Sequence, residues 1–245
     1  FLSKDNVILS RSGDPFNFYS TTAQTTIDSD PIDISCSAIK PTSLNSVVPT
    51  TQGVILFSVN QQFILFSDTG VLTPSTTAIR TLANYRIEKD ISPVEVGTTI
   101  SFVSKTPGYS RVFSMQTRGE QNNPLILDTS RVVKEWISPD IDNLMASPQN
   151  SMIALYGQSL NEVYIYRYYN DGQKNLMESW VSWIMPGTVQ FLVTNSDTMY
   201  AVTKQANQFT ILKTAFASTS FTIPTPAVFA NVLAEVVLPK ANSPT

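Results

Sequence analysis

Histidine does not occur among the 245 residues. That absence removes every Ser-His and Cys-His nucleophilic arrangement and nearly every protein zinc site. Cysteine occurs once, at Cys36, so no disulfide can close within the chain and the framework of a small disulfide-rich domain is excluded. Cys36 falls in an expected strand from Ile32 to Ser37, where it reads as a small buried hydrophobe. Charge is sparse as well: Asp, Glu, Lys and Arg make up 14% of the chain, against about 25% in ordinary globular domains. The net charge is -3 and no run of Lys or Arg appears, so tight nucleic-acid binding through counterion release is not indicated. The nine glycines are scattered singly, and no phosphate loop, dinucleotide fingerprint or nucleophile elbow can be assembled from them. No apolar run reaches the roughly 18 residues of a membrane-spanning helix, and the opening residues show no signal-peptide pattern.

Ser and Thr together supply about a fifth of the residues, a composition of strands and turns. The most orderly stretch is Asn6 to Ser37. Val7-Ile8-Leu9 is an apolar run that ends at Ser10-Arg11, and Ser12-Gly13-Asp14-Pro15 then supplies turn chemistry. Arg11 and Asp14 are placed to close the turn by a charge-assisted hydrogen bond. Phe16 and Phe18 alternate with Asn17 and Tyr19, which predicts two rings on one side just beyond it. All of these residues also fit a purely structural corner.

The hairpin pattern recurs. Phe1 to Arg11 turns at Lys4-Asp5-Asn6, and Val54 to Ser67 turns at Val59-Asn60-Gln61. Thr99 to Met115 turns through Pro107-Gly108, Met152 to Arg167 through Gly157 and Asn161, and Met199 to Thr203 pairs with Phe209 to Lys213. The second strands begin at Val7, Phe63, Arg111, Val163 and Phe209, so the repeat runs at spacings of 46 to 56 residues. Preceding strands fit at 46–48, 94–96, 144–146 and 189–193, and outer strands at 79–82, 125–127 and 180–185. A period near 40 to 50 with four strands per unit is the signature of β-propeller blades. The expected fold is therefore all-β, a propeller-like array of antiparallel blades, incomplete as it stands; a β-sandwich with long loops is the alternative. Residues 1–213 form the expected propeller-like domain and 214–245 an extension. Arg131 to Ile137 reads as a short helix or a strand, stopped by Pro139. Beyond Pro224 and Pro226, the apolar residues from Val228 to Val237 fit a helix or strands.

Chemistry has few places to sit. Asp28, Asp30 and Asp33 form the densest carboxylate group, but the Gly and terminal Glu of a calcium loop are missing and Pro31 stiffens the middle. Turns leading into a strand suit those aspartates equally well. A hydrolase without histidine would work on glycans through two carboxylates, drawn from Glu88, Asp90, Glu95, Glu120, Glu162 and Glu178, with no pair singled out. Trp180 and Trp183 are three apart and so lie on opposite faces of a strand, one toward a core and one outward. Tyr164 to Tyr169 offers either a contact surface or a plain outer strand.

Taken together, Ser10-Arg11-Ser12-Gly13-Asp14-Pro15-Phe16-Asn17-Phe18, Asp30-Pro31-Ile32-Asp33, Val54 to Ser58 with Gln62-Phe63, Leu72-Thr73-Pro74, Ser92-Pro93-Val94-Glu95-Val96-Gly97 and Ser179-Trp180-Val181-Ser182-Trp183 resemble the tail tubular protein B, or nozzle, family of short-tailed bacteriophages. The pieces occur in the family's order over about the first 185 residues. The resemblance implies a structural protein of the virion tail with a propeller-like domain, assembled as a sixfold ring that continues the DNA ejection channel. It implies partners in the adaptor ring and the tail fibres, and passage of duplex DNA without tight binding. Arg11, Gly13, Asp14, Pro15, Phe16, Asp30, Asp33, Pro93, Gly97, Trp180 and Trp183 are then structural positions, with no catalytic residue, metal or cofactor. A glycan-degrading or glycan-binding module acting on the host surface is the alternative. Family members are much longer, which leads to the expectation of a portion of a longer polypeptide, with the strand edge at Phe1 covered by upstream strands or a neighbour.

Overall fold

The structure is a computed structural model that describes residues 1–22, 24–36, 42–117, 124–170 and 175–216. The described residues are all-β, and each of five sheets is an antiparallel meander of strands in chain order, the arrangement from which propeller blades and sandwich layers are both built. Two compact units divide the chain: Phe1–Lys105 with Val112–Thr129, and Thr106–Arg111 with Ser130–Thr245.

The first unit opens with β1 (Leu2–Ser3), β2 (Asn6–Leu9) and β3 (Ile32–Ser35), a three-stranded sheet. A second sheet follows in β4 (Leu44–Thr50), β5 (Gly53–Ser58), β6 (Gln62–Ser67) and β7 (Thr77–Ala83), and a third in β8 (Val94–Val96), β9 (Thr99–Thr106), β10 (Tyr109–Gln116) and β11 (Leu125–Asp128). Alternating apolar residues build the core. Val7, Leu44, Leu56, Phe63 and Leu65 form one cluster, and Val48, Ile55, Phe57, Ile100, Phe102 and Met115 another. Phe102 is fully buried, with ring centroids 5.8 Å from Phe57 and 5.5 Å from Phe113. Cys36 is buried in the first cluster, and desolvation pushes its thiol up to about 11.

The second unit holds β12 (Asn143–Ser147), β13 (Met152–Tyr156), β14 (Glu162–Asn170) and β15 (Asn175–Ile184) in one sheet, then β16 (Thr188–Asn195), β17 (Thr198–Gln205) and β18 (Gln208–Ala215) in another. Met152, Ala154, Val163 and Ile165 of the four-stranded sheet pack with Val189, Leu192, Met199 and Ala201 of the three-stranded one. All five expected hairpins are present. The strands of the last three run longer than their apolar runs, because ladder pairing carries on into polar residues such as Thr106, Tyr168 and Gln205.

One local expectation is narrowed, and others lie outside the described residues. The segment from Arg131 forms a single 3-10 turn, Arg131–Val133, followed by Glu135 at φ 67; positive φ in a non-glycine residue is incompatible with continuing a helix or strand. The reading of 214–245 falls beyond Phe216 outside the described residues, as does Glu120.

Candidate functional site

Three surfaces carry the candidate residues. The first is the excursion between β2 and β3, where Arg11, Gly13, Asp14, Pro15, Phe16 and Asp30 gather. The turn is closed by main chain: the Asp14 N–H donates to the Arg11 carbonyl at 3.1 Å, the Asn17 N–H to the Asp14 carbonyl at 3.2 Å, and the Arg11 N–H to the Asn17 carbonyl at 2.8 Å. This corrects the expected Arg11–Asp14 side-chain bridge: no ion pair joins them, and the Arg11 charge instead contributes to the field at Asp30. Gly13 sits at φ +79 with open space where a Cβ would stand, so its role is conformational.

Phe16 and Phe18 do not line up. With no ladder partner to impose a period of two, Pro15 and Phe16 occupy a turn, leaving Phe16 90% exposed while Phe18 packs edge-on against Phe1 at 5.2 Å. Tyr19 is exposed as well.

Asp30 is the hub of this segment. Its Oδ1 accepts from the Thr21 N–H at 2.9 Å and the Thr21 hydroxyl at 2.7 Å, and its Oδ2 accepts from the Ile27 N–H at 3.0 Å. The Ile27 bond, then the Thr21 bonds, hold the carboxyl below its ordinary range, with Arg11 adding a smaller pull and burial opposing. Asp33, on β3, accepts from the Asn6 amide at 3.0 Å, and Asp28 is exposed. Asp30 and Asp33 are thus engaged with different partners. Among the described residues no group of three His, Cys, Asp or Glu side chains is placed to hold a metal.

Pro93 and Gly97 belong to the third sheet. Pro93 is buried ahead of β8, and Gly97, at φ +64, lies in the β8–β9 turn, where the Thr99 hydroxyl bonds the Val96 carbonyl at 3.1 Å. They are remote in sequence from the excursion.

The second surface lies on the four-stranded sheet of the second unit. Trp183 packs into the core shared with the three-stranded sheet, whereas Trp180, opposite Tyr166 in the ladder, packs against that ring at a tilt, centroids 5.1 Å apart. Tyr166 also stacks on Tyr168 at 5.9 Å, and Trp136 meets Tyr164 edge-on at 5.2 Å. The tyrosine strand is therefore mostly not a contact surface: Tyr164 and Tyr166 are buried, Tyr168 is half-buried, and only Tyr169 stands out at 61% exposure. Burial, together with a hydrogen bond from its hydroxyl to Glu162 at 2.9 Å, pushes the Tyr164 phenol up to about 12.

Beside this strand opens a cleft of about 570 Å³, lined among others by Arg167, Tyr168, Tyr169, Glu178 and Asp197. The turn carrying Asp197 is fixed at two points. The Asn150 amide donates to the Ser196 carbonyl at 2.7 Å, and the Phe216 N–H donates to the Asp197 carbonyl at 2.7 Å. Of the hydrolase candidates among the described residues, only Glu178 lines the cleft; Asp197 is brought to it by the fold, with no local sequence signal.

The third surface is the outer face of β16–β18. Ladder pairing places Phe191 and Ile211 across from Val202, and Val193 and Lys213 across from Tyr200. Phe191, Val193, Phe209 and Ile211 are all more than 40% exposed there.

Two comparisons bear on this arrangement. A family model described as bacteriophage nozzle protein matches residues 1–241. The chain is also similar to the tail tubular protein gp12 of Escherichia phage T7, 25% identical over 228 residues that cover 91% of this chain and 28% of that protein's length. The chain therefore belongs to the bacteriophage nozzle protein family and is a component of the virion tail.

Proposed function

We propose that these residues form one segment of a ring-shaped nozzle that continues the DNA ejection channel of the tail and contacts the adaptor ring and the tail fibres. In this reading 1–213 is the propeller-like body, 214–245 leads toward the remainder of the protein, and six copies close the ring. The observation that carries it is the nozzle-family match over nearly the whole chain. Two features support it. Large apolar side chains stand exposed on ordered strands and turns, as assembly surfaces require. The chain also has 16 Lys and Arg against 19 Asp and Glu; each phosphate neutralised by a cation would add salt-sensitive affinity and slow the passage of DNA. The test is duplex-DNA binding by the full-length assembly at physiological salt. Affinity weaker than about 1 μM is expected, and tighter binding contradicts the conducting role.

The cleft beside Tyr168, Tyr169, Glu178 and Asp197 favours a second reading, a glycan-binding or glycan-degrading module acting on the host surface. Reducing-end release from host polysaccharide that disappears in Glu178→Gln with the fold intact would promote this reading over the structural one.

A further inference from the structure

The outer face of the β16–β18 sheet is apolar and basic. Phe191, Val193, Val202, Phe209 and Ile211 share that face, Lys204 lies 5.7 Å from the Phe209 ring and Lys213 lies 5.8 Å from the Tyr200 ring. None of the three strands contains an Asp or Glu. The opposite face is already used, since Leu192, Met199, Ala201 and Leu212 fill the core. Moreover β18 is an edge among the described strands, with backbone groups available for pairing. A surface of this size and character on an ordered sheet fits a protein partner better than water.

The same chain carries a surface of opposite character. The excursion between β2 and β3 exposes Phe16 and Tyr19 together with Asp14 and Asp28. Exposed aromatics that share an excursion with Asp14 and Asp28, and an apolar field flanked by lysine on another patch, are complementary in hydrophobicity and in sign. Two different patches on one chain that fit each other are the requirement for a heterologous, head-to-tail contact, which generates a ring when the rotation closes.

We propose that the outer face of β16–β18 receives the Asp14–Tyr19 loop of a second copy of this chain, with Phe16 seated among Phe191, Phe209 and Ile211. The proposal rests on the ring reading above and adds to it which surfaces meet. Lys204 and Lys213 then face the loop's carboxylates, so the contact weakens as salt rises.

The experiment is cross-linking of the assembled full-length protein with a short bis-maleimide, using Phe16→Cys together with Ile211→Cys; Cys36 is buried, and the wild-type full-length protein treated in the same way gives the background. The doubly substituted protein should give a ladder of covalent multimers. A mixture of the two single variants should stop at dimers, and each single variant alone should remain monomeric on a denaturing gel. A ring that forms but yields no ladder, or yields only an internally linked monomer, overturns the proposed contact while leaving the ring intact. A wild-type full-length protein that stays monomeric overturns the ring reading itself. Should the double variant fail to assemble, Phe16→Ala and Phe209→Ala each provide a second test: the concentration at which the ring dissociates should rise at least tenfold, and an unchanged value refutes the contact.

Discussion

The side-chain amide of Gln62 makes both its hydrogen bonds to one residue, Tyr85: Nε2 donates to the Tyr85 carbonyl at 2.9 Å, and Oε1 accepts from the Tyr85 N–H at 3.1 Å. Gln62 is fully buried. It therefore does in the interior what a ladder partner would do, satisfying both main-chain groups of a residue just past the end of β7. Gln62→Leu keeps the volume but orphans the Tyr85 N–H and carbonyl, and should cost about 1–3 kcal/mol of stability, read as a shift in the denaturant midpoint. An unchanged midpoint would mean that water replaces the amide.

Phe102 anchors the second cluster of the first unit, touching Phe57 and Phe113. Phe102→Ala should destabilise by about 3–5 kcal/mol, and Phe102→Leu by markedly less, in chemical denaturation.

Gly53 adopts φ +143, and a Cβ there would run into the Leu65 carbonyl oxygen. Gly53→Ala should lose about 1–3 kcal/mol or more from the strained backbone alone. Gly108→Ala, with open space around it and no positive φ, is the control and should stay near wild type in thermal melts.

Two groups make the stability of the protein pH-dependent in opposite directions. Asp30 has a depressed carboxyl, so the stability it contributes is present above its ordinary value of 3.8 and is lost as pH falls through the lower folded value. Acidification below about pH 4 should therefore open the 21–30 segment to proteolysis, and Asp30→Asn should be open already at neutral pH. Tyr164 has a raised phenol, so the unfolded chain ionises first; stability falls as pH climbs from 10 toward about 12. Absorbance of the phenolate should show a late-titrating fraction, to which Tyr156 and Tyr168, also raised by burial, contribute, and Tyr164→Phe should shrink that fraction without abolishing it.

Much of the fold was legible because short apolar runs bounded by turn residues read as buried strands. Met152 to Tyr156 and Val163 to Arg167 are such runs, covered at nearly every position, and they pair in the structure. Periodicity failed where no ladder enforces it: Phe16 and Phe18 alternate in sequence but lie in a turn and in irregular backbone. It also failed to separate buried from exposed tyrosines, since Tyr164 and Tyr166 are covered on a face that a half-exposed strand would leave open. The role of Asp30 depends on Thr21, nine residues earlier, and that of Asp197 on a turn that Asn150 and Phe216 hold in place. Neither relationship has a local sequence pattern. Gln62 did leave a trace, as a polar residue beginning the apolar run Phe63-Ile64-Leu65-Phe66, but only the fold identifies its partner.

The central claim is that this chain is a structural segment of a closed, DNA-conducting ring. Electron cryomicroscopy of the full-length protein at micromolar concentration tests it most directly. The account predicts a closed sixfold ring with an axial channel wide enough for duplex DNA, with residues 1–216 contributing to the contacts between neighbouring copies. A monodisperse monomer, or a ring whose copies touch only through other parts of the chain, would contradict it.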